Sequence, residues 1–241
     1  MEKDELFTRE AAGNRDFKFD GDTVRVFDDM VGRSVPFYHE IQRMTSELAA
    51  DFAQDDSQIW DLGCSTATTI LELDRTVDAQ VRFVGVDNSE EMLGRARQKL
   101  AGETLRHPVE LRYGDLHGDL HLENASVVLM VLTLQFVRPL HRSRLLRSIY
   151  ESLRPQGCLI LVEKLTVADS LLNRLYIKHY YEMKRRNGYS DMEISQKREA
   201  LENVLIPYRM EENRELLTSE GFRHCEEYFR WYNFAGMIAV K

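Results

Sequence analysis

The chain has 241 residues, 43% of them hydrophobic and 30% charged, and its 32 basic against 40 acidic side chains leave a formal net charge of -8. This is the composition of one globular domain with a core of its own, and it excludes a disordered or collagen-like chain. The acidic balance speaks against a surface built wholly to grip nucleic acid, although a local basic patch stays open.

Residues 1–23 are polar, with Phe17 and Phe19 alternating with charged neighbours, and read as an arm that tacks onto the body. From Pro36 to Phe52 the apolar positions Ile41, Met44 and Leu48 recur at helical spacing. Gln58 to Leu62 reads as a short strand ending in Gly63-Cys64-Ser65, and Thr66 to Leu73 as a helix weakened by its threonines. Val81 to Val86 is a second strand ending at Asp87, and Ser89 caps a helix reaching Leu100. Val109 to Tyr113 is a third strand. The continuous apolar run Ala125 to Leu132 has the pattern of a central parallel strand. A helix from Pro139 to Tyr150 and a strand from Cys158 to Val162 follow.

From Glu163 to Thr218 the pattern is helical, with Leu171, Leu172, Leu175, Tyr176, His179 and Tyr180 on one face. Asn187-Gly188-Tyr189-Ser190 interrupts it, and Ser190 caps a helix toward Leu205, ended by Pro207. Such an insert exceeds an ordinary crossover and points to a lid, a dimer surface, or both. Arg223 to Trp231 and Phe234 to Val240, joined by Tyr232-Asn233, read as an antiparallel hairpin at a sheet edge. Strands alternating with helices predict a doubly wound, mostly parallel α/β sheet. No internal repeat or interdomain linker is visible, so residues 1–241 read as one domain.

The loop residues carry the chemistry. Gly63 lets the backbone approach a ligand closely, and Asp87, at the carboxyl end of the next strand, suits the two hydroxyls of a ribose. Asp115 closes a third strand where it would meet an adenine amino group, with Leu116 against the ring. NAD, FAD and S-adenosyl compounds all use an acid on the second strand. The lack of a three-glycine diphosphate cradle and the third strand-end acid favour an S-adenosyl ligand; a plain turn role for Asp87 stays open. On their own, Tyr38 reads as a packing residue, Cys64 as a small side chain filling a strand end, and Arg33 equally as a solvated helix-start residue. His117 and His121 have helical spacing but no third ligand, and no metal is expected. Cys64, Cys158 and Cys225 form no CxxC or disulfide framework. The charged opening MEKDELFTRE and the lack of a long apolar run lead us to expect a cytoplasmic protein without membrane contact.

Asp61-Leu62-Gly63-Cys64-Ser65 resembles the loop of class I S-adenosyl-methionine-dependent methyltransferases. Arg33-Ser34-Val35-Pro36, Val86-Asp87-Asn88-Ser89, Glu123-Asn124-Ala125-Ser126 and Thr133-Leu134-Gln135-Phe136 look like the carboxy-S-adenosyl-L-methionine synthases. So does the stretch from Asn187-Gly188-Tyr189-Ser190 through Glu193-Ile194-Ser195-Gln196-Lys197-Arg198 to Leu201-Glu202-Asn203-Val204, and the resemblance runs over residues 17–241.

The resemblance implies a Rossmann-like class I methyltransferase fold with a mostly parallel seven-stranded sheet, a C-terminal antiparallel hairpin and a helical insert. Residues 1–57 would be the arm and cap helix, and 164–218 the insert that covers the site and dimerises. It implies conversion of S-adenosyl-L-methionine and prephenate to carboxy-S-adenosyl-L-methionine and phenylpyruvate, supplying a bacterial tRNA wobble-uridine pathway. It further implies a homodimer without stable direct tRNA binding. Tyr38, Gly63, Cys64, Ser65, Asp87, Asn88, Asp115 and Leu116 would bind the cofactor, and Arg198 would reach the carboxylated sulfonium in the partner subunit's site. Two departures stand out. Thr66-Ala67-Thr68-Thr69 is one residue shorter than the family loop and lacks its glycine, and Val131 replaces a usual asparagine. The competing readings are a small-molecule methyltransferase with an altered acceptor and a non-catalytic S-adenosyl-binding partner in tRNA modification.

Overall fold

The protein's architecture is set by one seven-stranded sheet of order β3-β2-β1-β4-β5-β7-β6, seen in a computed structural model that describes Asp4 and residues 21–241. The strands are β1 (Ser57–Leu62), β2 (Val81–Asp87), β3 (Val109–Tyr113), β4 (Ala125–Val131), β5 (Leu153–Lys164), β6 (His224–Trp231) and β7 (Phe234–Val240). The first five pair in parallel, and β7 runs antiparallel between β5 and β6. The expected hairpin and parallel core are both present. The expected arm carrying Phe17 and Phe19 lies outside the described residues.

The parallel strands are apolar at successive positions because both faces are covered. On β4, Val127 and Leu129 join a core with Ala49, Ile70 and Leu93 from α2 (Tyr38–Phe52), α3 (Thr68–Thr76) and α4 (Glu90–Ala101). Val128 and Met130 face the other way, toward Leu146 and Ile149 of α5 (Pro139–Ser152) and Leu217 of α8 (Met210–Ser219). Ser89 caps α4 as its position predicts, its hydroxyl accepting from the Met92 N–H at 3.2 Å.

Three elements differ from the sequence reading. Residues 21–34 form a helix, α1 (Gly21–Ser34), that the polar reading of the N-terminal region left out. Its signal was Val24, Phe27 and Val31 at spacings of three and four. Arg33 therefore sits in the last turn of α1, not at a helix start, and it bonds Asp29 Oδ2 at 2.9 Å and the Asp4 carbonyl at 2.9 Å.

Second, the helix capped by Ser190, α7 (Asp191–Ala200), stops five residues short of Leu205. Tertiary bonds take over there: Asn203 turns left-handed at φ 62°, the Ile206 N–H donates to the Gln135 carbonyl at 2.8 Å, and Arg138 Nη1 donates to the Asn203 carbonyl at 2.8 Å. Third, β5 begins at Leu153 rather than Cys158. Leu153 pairs with Ala125, the register breaks, and pairing resumes at Cys158 opposite Val127.

A buried cation ties these parts together. Arg142, only 1% exposed, donates to the carbonyls of Val137 at 2.8 Å and Ile206 at 2.6 Å, with its guanidinium 4.1 Å from the centre of the Tyr208 ring. It thus clamps the segment after α7 onto the loop after β4. α6 (Ser170–Arg186), α7 and α1 all contribute walls to the crevice at the carboxyl ends of the strands. No helix among the described residues is long and apolar enough to cross a membrane.

Candidate active site

The strand order reverses between β1 and β4, which makes the carboxyl ends of these strands the place where an open α/β sheet leaves a crevice. A cavity of ≈ 380 Å³ occupies it. Tyr38, Gly63, Cys64, Ser65, Asp87, Asn88, Asp115 and Leu116, scattered over 79 positions of sequence from 38 to 116, all line this one cavity.

The loop after β1 is wound tightly. Gly63 has φ +82°, and a Cβ there would lie 2.5 Å from Thr133 Oγ1, so the loop after β4 presses on it. The glycine is needed for this contact between loops as much as for a ligand. Gly63 and Cys64 both donate N–H bonds to the Val86 carbonyl, at 2.8 and 3.0 Å. Ser65 and Ala67 then take left-handed φ values of 48° and 62° without glycine, at a cost of about 1 kcal/mol each. Asp28 on α1 holds the far end of the loop, accepting from Thr66 Oγ1 at 2.6 Å and from Lys99 Nζ at 3.0 Å. Burial raises the Asp28 pKa, but these donors outweigh it and leave it below the ordinary carboxylate value.

Asp87 ends β2 and faces the same loop. Its Oδ2 accepts from the Ser65 N–H at 2.9 Å and its Oδ1 from the Ser89 N–H at 3.0 Å. Asp87 therefore makes the turn bond that starts α4, shapes the loop after β1 and lines the cavity. Burial raises its pKa against the lowering effect of these amides.

Asp115 is held by His117. The Nε2 of His117 accepts from the Arg138 N–H at 3.1 Å, so Nδ1 carries the proton that it donates to Asp115 Oδ1 at 2.8 Å. The His117 backbone N–H also donates to Asp115 at 2.9 Å, and these bonds keep the carboxylate below its ordinary pKa. The helical spacing of His117 and His121 has no structural counterpart, since the segment is turn and loop. His117 is committed to Asp115. His121 reaches Glu123 at 3.9 Å and no other acid among the described residues. Cys64 is buried, and desolvation together with the nearby Asp61 and Asp87 charges pushes its thiol well above the ordinary value. It is a wall, not a nucleophile.

These residues fit an S-adenosyl nucleoside. An acceptor pair stands at the end of β2, a second acid at the end of β3, and Leu116, Val86 and Val137 give apolar surface for a base. Arg198 is absent from this cavity. Its side chain is 62% exposed on α7, with Glu199 as its ion-pair neighbour among the described residues, at 3.9 Å.

Val131, noted in the sequence as a departure, lines the far wall, but sequence reasoning missed the rest of that wall: Leu132, Thr133, Lys164, Tyr180, Lys197 and Phe234. The visible signal for Lys164 was a cation at the carboxyl end of an apolar strand, the counterpart of Asp87. Glu163 beside it is buried, its Oε1 accepting from the Leu134 N–H at 3.0 Å, which fixes the 3-10 turn Leu134–Phe136 over the cavity. Burial pushes Glu163 to about 8.

Asp61 lies beneath the loop, 2% exposed, and no donor among the described residues reaches its Oδ2. Burial, reinforced by the Asp87 charge, pushes its pKa up to about 7. A raised folded-state pKa gives stability that is complete below the unfolded value, about 4, and is lost as pH climbs through the folded one. Asp61→Asn should therefore gain stability relative to the parent protein between about pH 5 and pH 8, as urea unfolding at the two values would measure. An unchanged stability difference would show that Asp61 titrates normally.

The comparisons agree with this geometry. Residues 59–157 match the family model described as a methyltransferase domain. The chain is 52% identical over 242 residues to a carboxy-S-adenosyl-L-methionine synthase of Methylococcus capsulatus, covering 100% of both chains. It is 46% identical to the synthase of that name from Wolinella succinogenes, covering 99% of this chain and 98% of the relative. Among solved structures, a SAM-dependent methyltransferase from Aquifex aeolicus aligns over 92% of this chain and 99% of its own, with a TM-score of 0.60 at 15% identity. An S-adenosyl-L-methionine-dependent methyltransferase from Methanococcus maripaludis aligns over 96% and 97%, with a TM-score of 0.61 at 18% identity. The shared architecture is that of the class I methyltransferases, and the full-length identity places the chain within it as a member of the carboxy-S-adenosyl-L-methionine synthase family.

Proposed function

We propose that this enzyme converts S-adenosyl-L-methionine and prephenate into carboxy-S-adenosyl-L-methionine, phenylpyruvate and water. The observation that carries the reading is the 52% identity over the entire chain to a synthase of that product. The atoms balance. The ring carboxylate of prephenate leaves as carbon dioxide, and its bonding pair aromatises the ring and expels the ring hydroxyl. That hydroxyl departs as water with one proton from the sulfonium methyl group, whose carbon bonds the carbon dioxide. The positive sulfonium supplies the acidity that this proton transfer needs.

The chain's own residues bind, orient and shield. Asp87 takes the ribose hydroxyls, Asp115 meets the adenine amino group, and Gly63, Cys64, Ser65, Asn88 and Leu116 complete the nucleoside seat. Tyr38 closes one side of the cavity beside α1. Val131, in place of the family's usual asparagine, leaves an apolar wall beside the reacting end, where released carbon dioxide is kept from water.

Arg198 acts across a homodimer in this reading. Its exposed guanidinium on α7 is available to a second chain, and the nearby insert leaves Leu171, Leu172 and Leu175 of α6 exposed with Tyr232. Residues 164–218 then both cover the site and dimerise, whereas residues 1–57 form the arm and cap of the single domain 1–241. The product leaves for a second enzyme that modifies tRNA in the cytoplasm, without stable tRNA binding by this acidic chain.

Two experiments test the reading. Incubation with S-adenosyl-L-methionine and prephenate should yield phenylpyruvate and a cofactor heavier by one carbon dioxide, seen by mass spectrometry of the small-molecule fraction. S-adenosyl-homocysteine with a methylated acceptor would instead indicate a methyltransferase, and cofactor binding without turnover a non-catalytic partner. Mixing separately inactive Arg198→Ala and Asp87→Ala subunits should restore activity, because one site of each heterodimer keeps both residues. Verified subunit exchange without recovery would place Arg198 outside the partner's site. Asp87→Ala alone should weaken cofactor binding by about 10- to 100-fold.

A further inference from the structure

The cavity has a second, cationic end. Lys164 closes β5 on the β4–β5 side of the strand-order reversal, away from the acids that end β2 and β3. Lys197, on α7, lines the same cavity and is 7% exposed. A third lysine, Lys184 on α6, stands behind them at 3% exposure. Among the described residues the carboxylates near these three lysines are Asp4, at the limit of an ion pair with Lys197, and Glu193, whose charge acts on Lys184. No oxygen of the described residues accepts from Lys164 Nζ, which sits 4.9 Å from the centre of the Tyr180 ring. Lys197 Nζ donates to Ser34 Oγ at 3.1 Å and is 4.0 Å from Asp4 Oδ2. That acid is shared, since Tyr189 Oη donates to Asp4 Oδ2 at 2.6 Å. Arg33, 4.3 Å from the centre of the Tyr189 ring, brings a further positive charge that Asp29 accompanies.

Burying ammonium groups with so few partners is costly, and the molecule shows it. Burial holds Lys164 at about 8, and burial together with the neighbouring Lys184 holds Lys197 at about 7. An anion arriving between them would restore their charge and meet their donors. Tyr180 and Phe234, whose ring centres are 5.3 Å apart and whose planes are tilted by 53°, provide an aromatic wall beside the lysines.

We infer that Lys164 and Lys197 form the carboxylate-binding end of the active site, holding the ring-bearing dicarboxylate co-substrate against Tyr180 and Phe234. The assignment rests on the synthase reading for the identity of that co-substrate. It places the negative donor on the β4–β5 side and the nucleoside on the β1–β3 side, so the two meet at the reversal. Only the co-substrate, not the cofactor, then depends on these lysines.

Calorimetric titration of prephenate into the cofactor-saturated protein, beside a separate titration of S-adenosyl-L-methionine, tests this without needing turnover. Lys164→Gln and Lys197→Gln should each weaken prephenate binding by roughly 10- to 100-fold while leaving cofactor affinity within about threefold. Because Lys164 Nζ makes no hydrogen bond to the described residues, its replacement orphans no partner among them, and that variant stands as the test even if Lys197→Gln unfolds. Unchanged prephenate affinity in folded Lys164→Gln overturns the assignment. So does a loss of cofactor affinity in its place, which would give the lysines to the amino-acid carboxylate of the cofactor. Prephenate binding that depends on the lysines but yields no carboxylated product would uphold the anion site and refute the synthase reading instead. Carboxylated product with lysine-independent binding would do the reverse.

Discussion

The reversal of strand order between β1 and β4 is the constraint on which the site depends. The loops leaving these neighbouring parallel strands meet at their bases, where Gly63 has no Cβ and Thr133 fills the space. Above that contact the cavity opens, and chain segments as distant as α1, β2, β5 and α7 contribute to its walls. Asp87 accepts the Ser65 amide on one side of the crevice, and Glu163 accepts the Leu134 amide on the other. Two buried carboxyl groups thus hold the two loops. Neither loop is rich in glycine, and the left-handed Ser65 and Ala67 show that tertiary bonds can impose a turn that the local sequence disfavours.

The charge along the crevice is divided. Acids stand at the ends of β2 and β3, and lysines at the end of β5 and on α7. This arrangement suits a reaction that joins a cationic sulfonium compound to an anionic ring. In the proposed arrangement each end attracts one substrate and repels the other, which would fix their order in space before any chemistry occurs. The low polarity between the ends, given by Val131 and Leu132, strengthens the fields of both. Arg198 stands apart from both ends within one chain. Its proposed role makes the complete site a property of two subunits.

The parallel core was legible in the sequence because β2, β4 and the Cys158–Val162 part of β5 are apolar runs, and a charged or glycine residue ends or follows β1, β2, β3 and β5. The proposed nucleoside end was legible for a related reason: Gly63, Asp87 and Asp115 fall at or just after strand ends, and strand ends gather in space. Helix α1 escaped because its acidic face, including Asp28 and Asp29, hid an apolar spacing of three and four. The end of α7 escaped because hydrogen bonds to Gln135, Arg138 and Arg142, more than fifty residues away in sequence, override local propensity. The lysine end escaped because a single lysine in a charged run such as Lys197-Arg198-Glu199 looks solvated until the fold buries it. Its neighbour Arg198 does stay exposed, and no local pattern separates the two.

The claim that one cavity joins the two substrates at the strand reversal is tested most directly by following the transferred carbon. Prephenate isotopically labelled in its ring carboxylate should be incubated with the enzyme and S-adenosyl-L-methionine, and both cofactor and dissolved carbon dioxide analysed for label. Retention of the label in carboxy-S-adenosyl-L-methionine, undiluted by added unlabelled bicarbonate, is the result expected. Label released to solvent while phenylpyruvate accumulates beside unaltered cofactor would contradict the account.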